Sequence, residues 1–394
     1  MNLNLPIYLD NNSTTQVDAR VVTAMIPYFN EKFGNYSSKH KFGYEAYSAV
    51  EYSREKIANL INANPNEIIF TSGATESINL AHIGFALANQ NKGNHIISSL
   101  VEHSASYESL LFLSKSGFDV TFLKPDSFGK ISLEDVIKNV RKDTILVSLI
   151  YANNEIGTIN DIKLIAEFCN SEKIVFHTDA TQAVGKIKID VRELNPSMMS
   201  FASHKIYGPK GIGALFINKN SFKFNLSPII FGGNQENSLR SGTLNVPAIV
   251  GFGEACSILL NELSNDIIHY KKLSDYMRKN LIANLNDIKL NGHFTDRIPN
   301  NLNFTVYGVN ANDLILKTPE VCFSTGSACS SEMDKPNRIY KSIGLTDDEV
   351  KSTFRIAVGR FNTFEEIEFA TNKLISVISL IREKSHFNKQ SMLV

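Results

Sequence analysis

From about Asp18 to Ile217 the chain alternates short β-rich runs with amphipathic helical stretches, and this alternation limits the fold more than any other feature. The runs include Glu67–Thr71, His95–Ser99, Val120–Leu123, Ile145–Ile150, Ile174–His177, Met198–Phe201 and Ala214–Ile217, with helical patterns such as Glu51–Ile61, Ala105–Ser114 and Leu133–Val140 between them. Parallel strands need crossover connections, so the pattern predicts a mostly parallel sheet covered by helices on both faces. A long helical pattern from Pro247 to about Asn286 follows. After it come β-like pieces at Asn301–Val306, Val321–Phe323 and Thr353–Ala357, then a closing helix over Thr363–Lys384. The expectation is an α/β fold: a large domain over residues 16–260 and a smaller α+β domain built from 1–15 and 261–394.

A chain of 394 residues is long enough for two cores. Lys+Arg and Asp+Glu stand at 40 each, which removes the electrostatic case for direct nucleic-acid binding. The first residues have neither a basic nor an apolar region of the secretory kind. The most apolar stretch, near Ile249 to Leu260, is interrupted by Gly251, Gly253 and Glu254, so no membrane span is expected and the expected compartment is the cytoplasm. Cys169, Cys256, Cys322 and Cys329 show no metal-ligand spacing, so no metal site is expected, and in a reducing compartment they are thiols.

In open α/β sheets, ligands bind at the carboxyl ends of the strands. Four polar clusters fall there. Thr71-Ser-Gly-Ala-Thr-Glu-Ser77, containing Ala74 and Thr75, offers small residues and free N–H groups at a helix start, suited to phosphate; alone, it reads at least as well as an N-cap with a tight turn. His103, in Ser99-Leu-Val-Glu-His-Ser104, suits ring stacking or proton transfer, and equally a hydrogen-bonded loop. Asp179, closing one run, suits a protonated pyridine nitrogen, with Gln182 near enough to donate to a ring oxygen; it suits an N-cap as well. Ser203-His-Lys-Ile-Tyr-Gly-Pro-Lys-Gly211 offers Lys205 as a Schiff-base amine, with Ser203 and His204 beside it as phosphate ligands. Together the four supply what a protein gives to pyridoxal phosphate. Cys329 lies in Ser324-Thr-Gly-Ser-Ala-Cys-Ser-Ser331, a run of small residues without an apolar anchor, as an accessible nucleophile would; taken alone, Cys329 reads better as an incidental surface cysteine, and Lys205 and Lys210 read also as loop charges.

These stretches, with Asn153-Asn-Glu-Ile-Gly157, Arg240-Ser-Gly-Thr243 and Arg355–Arg360, resemble the cysteine desulfurases of the class V aminotransferase family, of pyridoxal-phosphate fold type I, from Tyr8 through Arg360. The resemblance implies that Lys205 carries the cofactor, His103 stacks on the ring, Asp179 pairs with the ring nitrogen, and Gln182 and Asn154 contact ring substituents. Thr75 and His204 would bind phosphate. Thr243 would reach the phosphate of a partner subunit, making the protein a homodimer. Arg355, helped by Asn35, would hold the carboxylate of the L-cysteine substrate. Cys329 would take the sulfur as a persulfide and pass it to an acceptor protein for iron–sulfur assembly, tRNA thiolation or DNA phosphorothioate modification. The chain departs from the family pattern at Ala202, where a serine is usual, and at Gln235–Leu239, which lacks an arginine often found there. Competing readings are another pyridoxal-phosphate lyase or transferase, such as a selenocysteine lyase, and a non-catalytic sulfur-transfer partner, whose signature would be loss of Lys205 or Asp179.

Overall fold

The strands, in chain order, are β1 (Ile7–Tyr8), β2 (Ile68–Thr71), β3 (His95–Ser99), β4 (Asp119–Leu123), β5 (Thr144–Ile150), β6 (Val175–Asp179), β7 (Met198–Ala202), β8 (Gly213–Ile217), β9 (Ile288–Leu290), β10 (Asn301–Val306), β11 (Val321–Cys322), β12 (Ser324–Thr325) and β13 (Thr353–Ala357). They come from a computed structural model that describes residues 3–325 and 338–384. Seven form one sheet in the order β2-β8-β7-β6-β5-β3-β4. β4, β3, β5, β6 and β7 are mutually parallel, and β8 runs antiparallel to both of its neighbours. β2 therefore points the same way as the parallel set, and the six strands end at one edge.

β3, β5, β6 and β7 are buried along their whole length, as strands covered on both faces must be. The polar side chains among them are satisfied internally. Ser148 Oγ lies 2.7 Å from His82 Nε2 and 2.8 Å from His177 Nδ1, and His177 Nε2 meets Ser200 Oγ at 2.9 Å, which ties β5, β6 and β7 together. Burial pushes the pKa of His82 down to about 3 and lowers that of His177 too, so both are neutral hydrogen-bonding groups.

A four-stranded antiparallel sheet, β12-β13-β10-β9, and the parallel pair β1-β11 make up the C-terminal part. Their core includes Ile7, Leu9, Phe304, Phe354 and Leu374. The helix Val246–Asn284 serves both cores: Ile249, Phe252 and Leu259 pack with the large sheet, Tyr270, Met277 and Leu281 with the small one.

This helix corrects one expectation. It is long and apolar enough, by length and composition, to cross a membrane, and Gly251 and Gly253 do not break it. Over half of its apolar window, 56%, is buried inside the protein. The glycines serve packing instead: a Cβ on Gly253 would stand 2.7 Å from Ser53 Cβ on the helix Lys41–Leu60, and one on Gly251 would stand 2.6 Å from Met25 Sδ.

Candidate functional site

The shared strand edge opens onto a cavity of about 530 Å³. Five of the six strands that end at this edge, all but β4, lead to a residue that lines it. β2 leads into Ser72–Gly73 and the helix start at Ala74–Thr75; β3 leads to His103, β5 to Asn154, β6 to Asp179 and Gln182, and β7 to His204 and Lys205. β13, from the smaller sheet, supplies Arg355. The floor is closed by Asn12, Ser13 and Thr14, in the segment after β1.

Lys205 ends a 3₁₀ turn, Ser203–Lys205, and its Nζ donates to the carbonyls of Asn12 at 2.7 Å and Ser13 at 2.6 Å. Asp179 is buried, and its Oδ1 accepts from the Thr181 N–H at 2.9 Å. Gln182 Nε2 donates to the Asn12 carbonyl at 2.8 Å.

His103 caps the helix Ser104–Lys115: its Nδ1 accepts from the Ala105 N–H at 3.1 Å, which leaves the ring proton on Nε2. Removal from solvent lowers its pKa, Lys205 pushes the same way, and Asp179 opposes them. His204 is pushed down to about 4 by burial, then by Lys205 and Lys210, so it too is neutral at pH 7.

Arg355 is almost fully buried. Nη2 donates to Asp10 Oδ1 at 2.8 Å and Ser13 Oγ at 2.7 Å, while Nη1 donates to Glu155 Oε1 at 3.0 Å and the Asn154 carbonyl at 3.2 Å. Burial works against its charge, but Glu155 and Asp10 outweigh that and its pKa is raised.

Four residues lining this cavity carry a buried polar atom with no partner among the described residues: Asn154 Oδ1, Thr181 Oγ1, Gln182 Oε1 and Arg355 Nε. Each such atom costs about 1–3 kcal/mol if left unpaired. No side chain caps the helix that begins at Ala74, so its first N–H groups and dipole favour an anion. β8 comes close beside this turn because residue 213 is glycine; a Cβ there would lie 2.7 Å from Gly73 Cα. An anion cradle, a buried carboxylate, an amine and unpaired amide and hydroxyl groups are a donor set that fits pyridoxal phosphate.

Of the residues singled out in the sequence, Ala74, Thr75, His103, Asn154, Asp179, Gln182, His204, Lys205 and Arg355 line the cavity. Ser203 does not: it is fully buried, with its Oγ against Gly208, where a Cβ would stand only 2.0 Å away. Asn35 is exposed, its Oδ1 accepts from the Ser37 N–H at 2.9 Å, and it does not line the cavity beside Arg355. Thr243 is exposed and does not line the cavity of its own chain. Cys329 lies outside the described residues. Cys169 and Cys256 are buried in the large core and Cys322 is half-buried. The sequence reading gave no role to Asn12–Thr14, although they too are a polar cluster just after a β-like run. Glu102 was not singled out either, since its burial has no local sequence signal.

Residues 7–369 match the family described as aminotransferase class-V. The chain is 45% identical over 386 residues to cysteine desulfurase IscS of Neisseria meningitidis, spanning 98% of this chain and 95% of that one. Among solved structures, a NifS-like protein superposes with a TM-score of 0.89 at 34% identity, covering 95% of this chain and all (100%) of the other. SspA in complex with cysteine superposes with a TM-score of 0.79 at 34% identity, covering 91% of this chain and 100% of that one.

Proposed function

The chain belongs to the aminotransferase class-V family and is a pyridoxal-phosphate-dependent cysteine desulfurase of fold type I, and from that premise we propose how its residues divide the work. The observation that carries the proposal is the convergence of Lys205, Asp179 and the uncapped Ala74 helix start on one cavity with unpaired polar atoms. Bound pyridoxal phosphate supplies an electron sink for the charge left on the substrate Cα when its proton is removed.

Lys205 is the attachment amine and takes the Cα proton, its Nζ aimed by the carbonyls of Asn12 and Ser13. Asp179 would pair with the ring nitrogen and stabilise its protonated form. His103, as a neutral imidazole, would cover the ring face. The N–H groups at Ala74 and Thr75, with His204, would hold the phosphate. Gln182 Nε2 uses one N–H on Asn12 and has a second for a ring oxygen, with Asn154 beside it. Arg355 offers its unpartnered Nε–H to the substrate carboxylate, while Asp10 and Glu155 fix the plane of the guanidinium.

The thiolate of Cys329 attacks the substrate sulfur. One C–S bond breaks as one S–S bond forms, so cysteine and the Cys329 thiol become alanine and a Cys329 persulfide, with no external oxidant. Thr243 reaches the phosphate of a second subunit in a homodimer. A sulfur-acceptor protein in the cytoplasm takes the outer sulfur of the persulfide and leaves Cys329 as a thiol, toward iron–sulfur assembly, tRNA thiolation or DNA phosphorothioate modification. The division into 16–260 and 1–15 with 261–394 belongs to the same proposal; it draws support from the helix Val246–Asn284, which changes cores between Leu259 and Tyr270.

The test compares wild type with Cys329→Ala for alanine and sulfide release from free cysteine, recording the cofactor absorbance alongside. The variant is expected to keep the absorbance and lose alanine formation by at least about 100-fold, as removal of a nucleophile does. A variant as active as wild type makes the thiol incidental and selects another lyase or transferase reaction.

A further inference from the structure

Arg338 follows directly, in sequence, on the segment 326–337 that contains Cys329, and its side chain reaches back to the turn that carries His103. Nη2 donates to the Glu102 carbonyl at 2.6 Å, and Nη1 donates to the Leu100 carbonyl. The guanidinium carbon stands 3.8 Å from the centre of the Tyr107 ring, in the first turn of the helix that His103 caps. Tyr107 packs in turn on Phe122 of β4, ring centres 4.8 Å apart. One side chain therefore grips the chain before His103, at Leu100 and Glu102, and after it, at Tyr107.

We propose that Arg338 is a positioning residue for His103, holding the turn on which His103 is presented. The turn between β3 and the following helix exposes carbonyls that neither element satisfies. A guanidinium suits them, because its planar fork serves two acceptors and its face lies flat on an aromatic ring. Burial opposes the charge and lowers the pKa of Arg338, with Glu102 offsetting part of that, so the contacts hold a cation in a place it would otherwise leave. With the backbone held at 100–102 and Nδ1 held by the Ala105 N–H, the His103 ring has little freedom to turn. The charge of Arg338 also adds to that of Lys205 in disfavouring a proton on His103, against Asp179 and Glu155, and His204 is near enough to interact with it electrostatically.

The inference rests on the assignment of His103 to the site, so the experiment carries a control for it. Arg338→Gln, Arg338→Lys and His103→Gln holoenzymes are compared with wild type for alanine formation from cysteine, between about pH 6 and 9. Amide hydrogen exchange is followed over residues 99–107. In Arg338→Gln the expected result is several-fold faster exchange there, kcat down about ten-fold with KM within about two-fold, and the acid limb of the pH profile moved to higher pH. Arg338→Lys keeps the charge, so it is expected to leave the limb in place while losing part of the protection. Wild-type exchange and kcat in Arg338→Gln overturn the proposal. If that variant does not fold, wild-type exchange in Arg338→Lys does the same. An unimpaired His103→Gln overturns the assignment of His103 itself.

Discussion

Glu102 precedes His103 and turns its buried side chain to the ends of β3 and β5, where Oε1 accepts from Ser99 Oγ at 2.6 Å and the Ile150 N–H at 2.9 Å and Oε2 has no partner among the described residues. Burial, reinforced by Asp179, pushes its pKa up to about 8 against the two hydrogen bonds and Arg338. The carboxyl is thus mostly neutral in the folded protein at pH 7 and ionised in the unfolded chain. A pKa raised on folding gives stability that is full below about 4.5, the unfolded value, and is lost as pH rises toward about 8, by up to ~1.4 kcal/mol per pH unit. Glu102→Gln keeps the acceptor and cannot ionise, so its melting temperature is expected to fall less than that of wild type between about pH 6 and 8. Equal slopes in the two proteins would show that Glu102 is ionised when folded. Arg355 is the opposite case, a charge kept in the interior by two carboxylates. Lysine there has no second nitrogen to hold both carboxylates and a substrate. Arg355→Lys is expected to raise KM for cysteine roughly 10- to 100-fold, the worth of one charge-assisted hydrogen bond, with the cofactor absorbance unchanged. Steady-state kinetics would refute this by showing kcat reduced at constant KM. Asp179 and Lys205 could be picked out from the sequence because each closely follows a β-like run, and Arg355 because its stretch resembles the family pattern. Glu102 and Arg338 could not, because what distinguishes them is burial and a partner over 230 residues away, which no local pattern records.

At the level of elements, the strands of the large sheet lie within a residue or two of the runs visible in the sequence, because a strand buried on both faces must be almost wholly apolar or internally paired. The direction of β8 was not anticipated, yet it had a signal. Only Ser203–Ile212 joins β7 to β8, with no helical pattern in it, and so short a link returns antiparallel. That link also carries Lys205, so the one reversal in the sheet is where the chain leaves room for the cofactor amine. The glycines of the helix Val246–Asn284 misled for a physical reason: glycine weakens a helix locally, but here the missing side chains let two helices approach. Gly253→Ala removes the propensity penalty and places a methyl group against both the backbone and side chain of Ser53. Overpacking of this kind costs about 1–3 kcal/mol, more than the gain of up to about 1 kcal/mol in helix propensity. Denaturant unfolding is expected to show a net loss, with cofactor absorbance intact. A stabilised variant would mean that the helices separate at little cost.

For the molecule as a whole, the segment leading to Thr243 is fixed more firmly than its exposure within one chain explains. Glu236, Asn237 and Ser238 adopt left-handed backbone angles, φ 48°, 56° and 66°, which for non-glycine residues cost on the order of 1–2 kcal/mol each. They are held by a buried anchor. Arg54 donates to Glu236 Oε1 at 2.7 Å and to Oε2 at 2.8 Å, and the Phe70 N–H donates to Oε2 at 2.7 Å. Arg240 Nε then pairs at 2.9 Å with Oε1 of Glu76, a residue of the cavity lining. A strained, anchored loop that presents a hydroxyl to solvent makes sense if the recipient is a second subunit. A two-fold dimer would then place each Thr243 at the other subunit's phosphate. Mixed dimers test this without a structure. A heterodimer of Lys205→Ala and Thr243→Ala subunits has one site with both residues intact if Thr243 acts across the interface, and none if it acts within its own chain. Random pairing makes about half the dimers mixed, each with one good site of two, so coexpression is expected to restore about a quarter of wild-type alanine formation. Activity no greater than the sum of the two homodimer preparations would place Thr243 outside the partner's site and leave the strain of residues 236–238 to some other purpose.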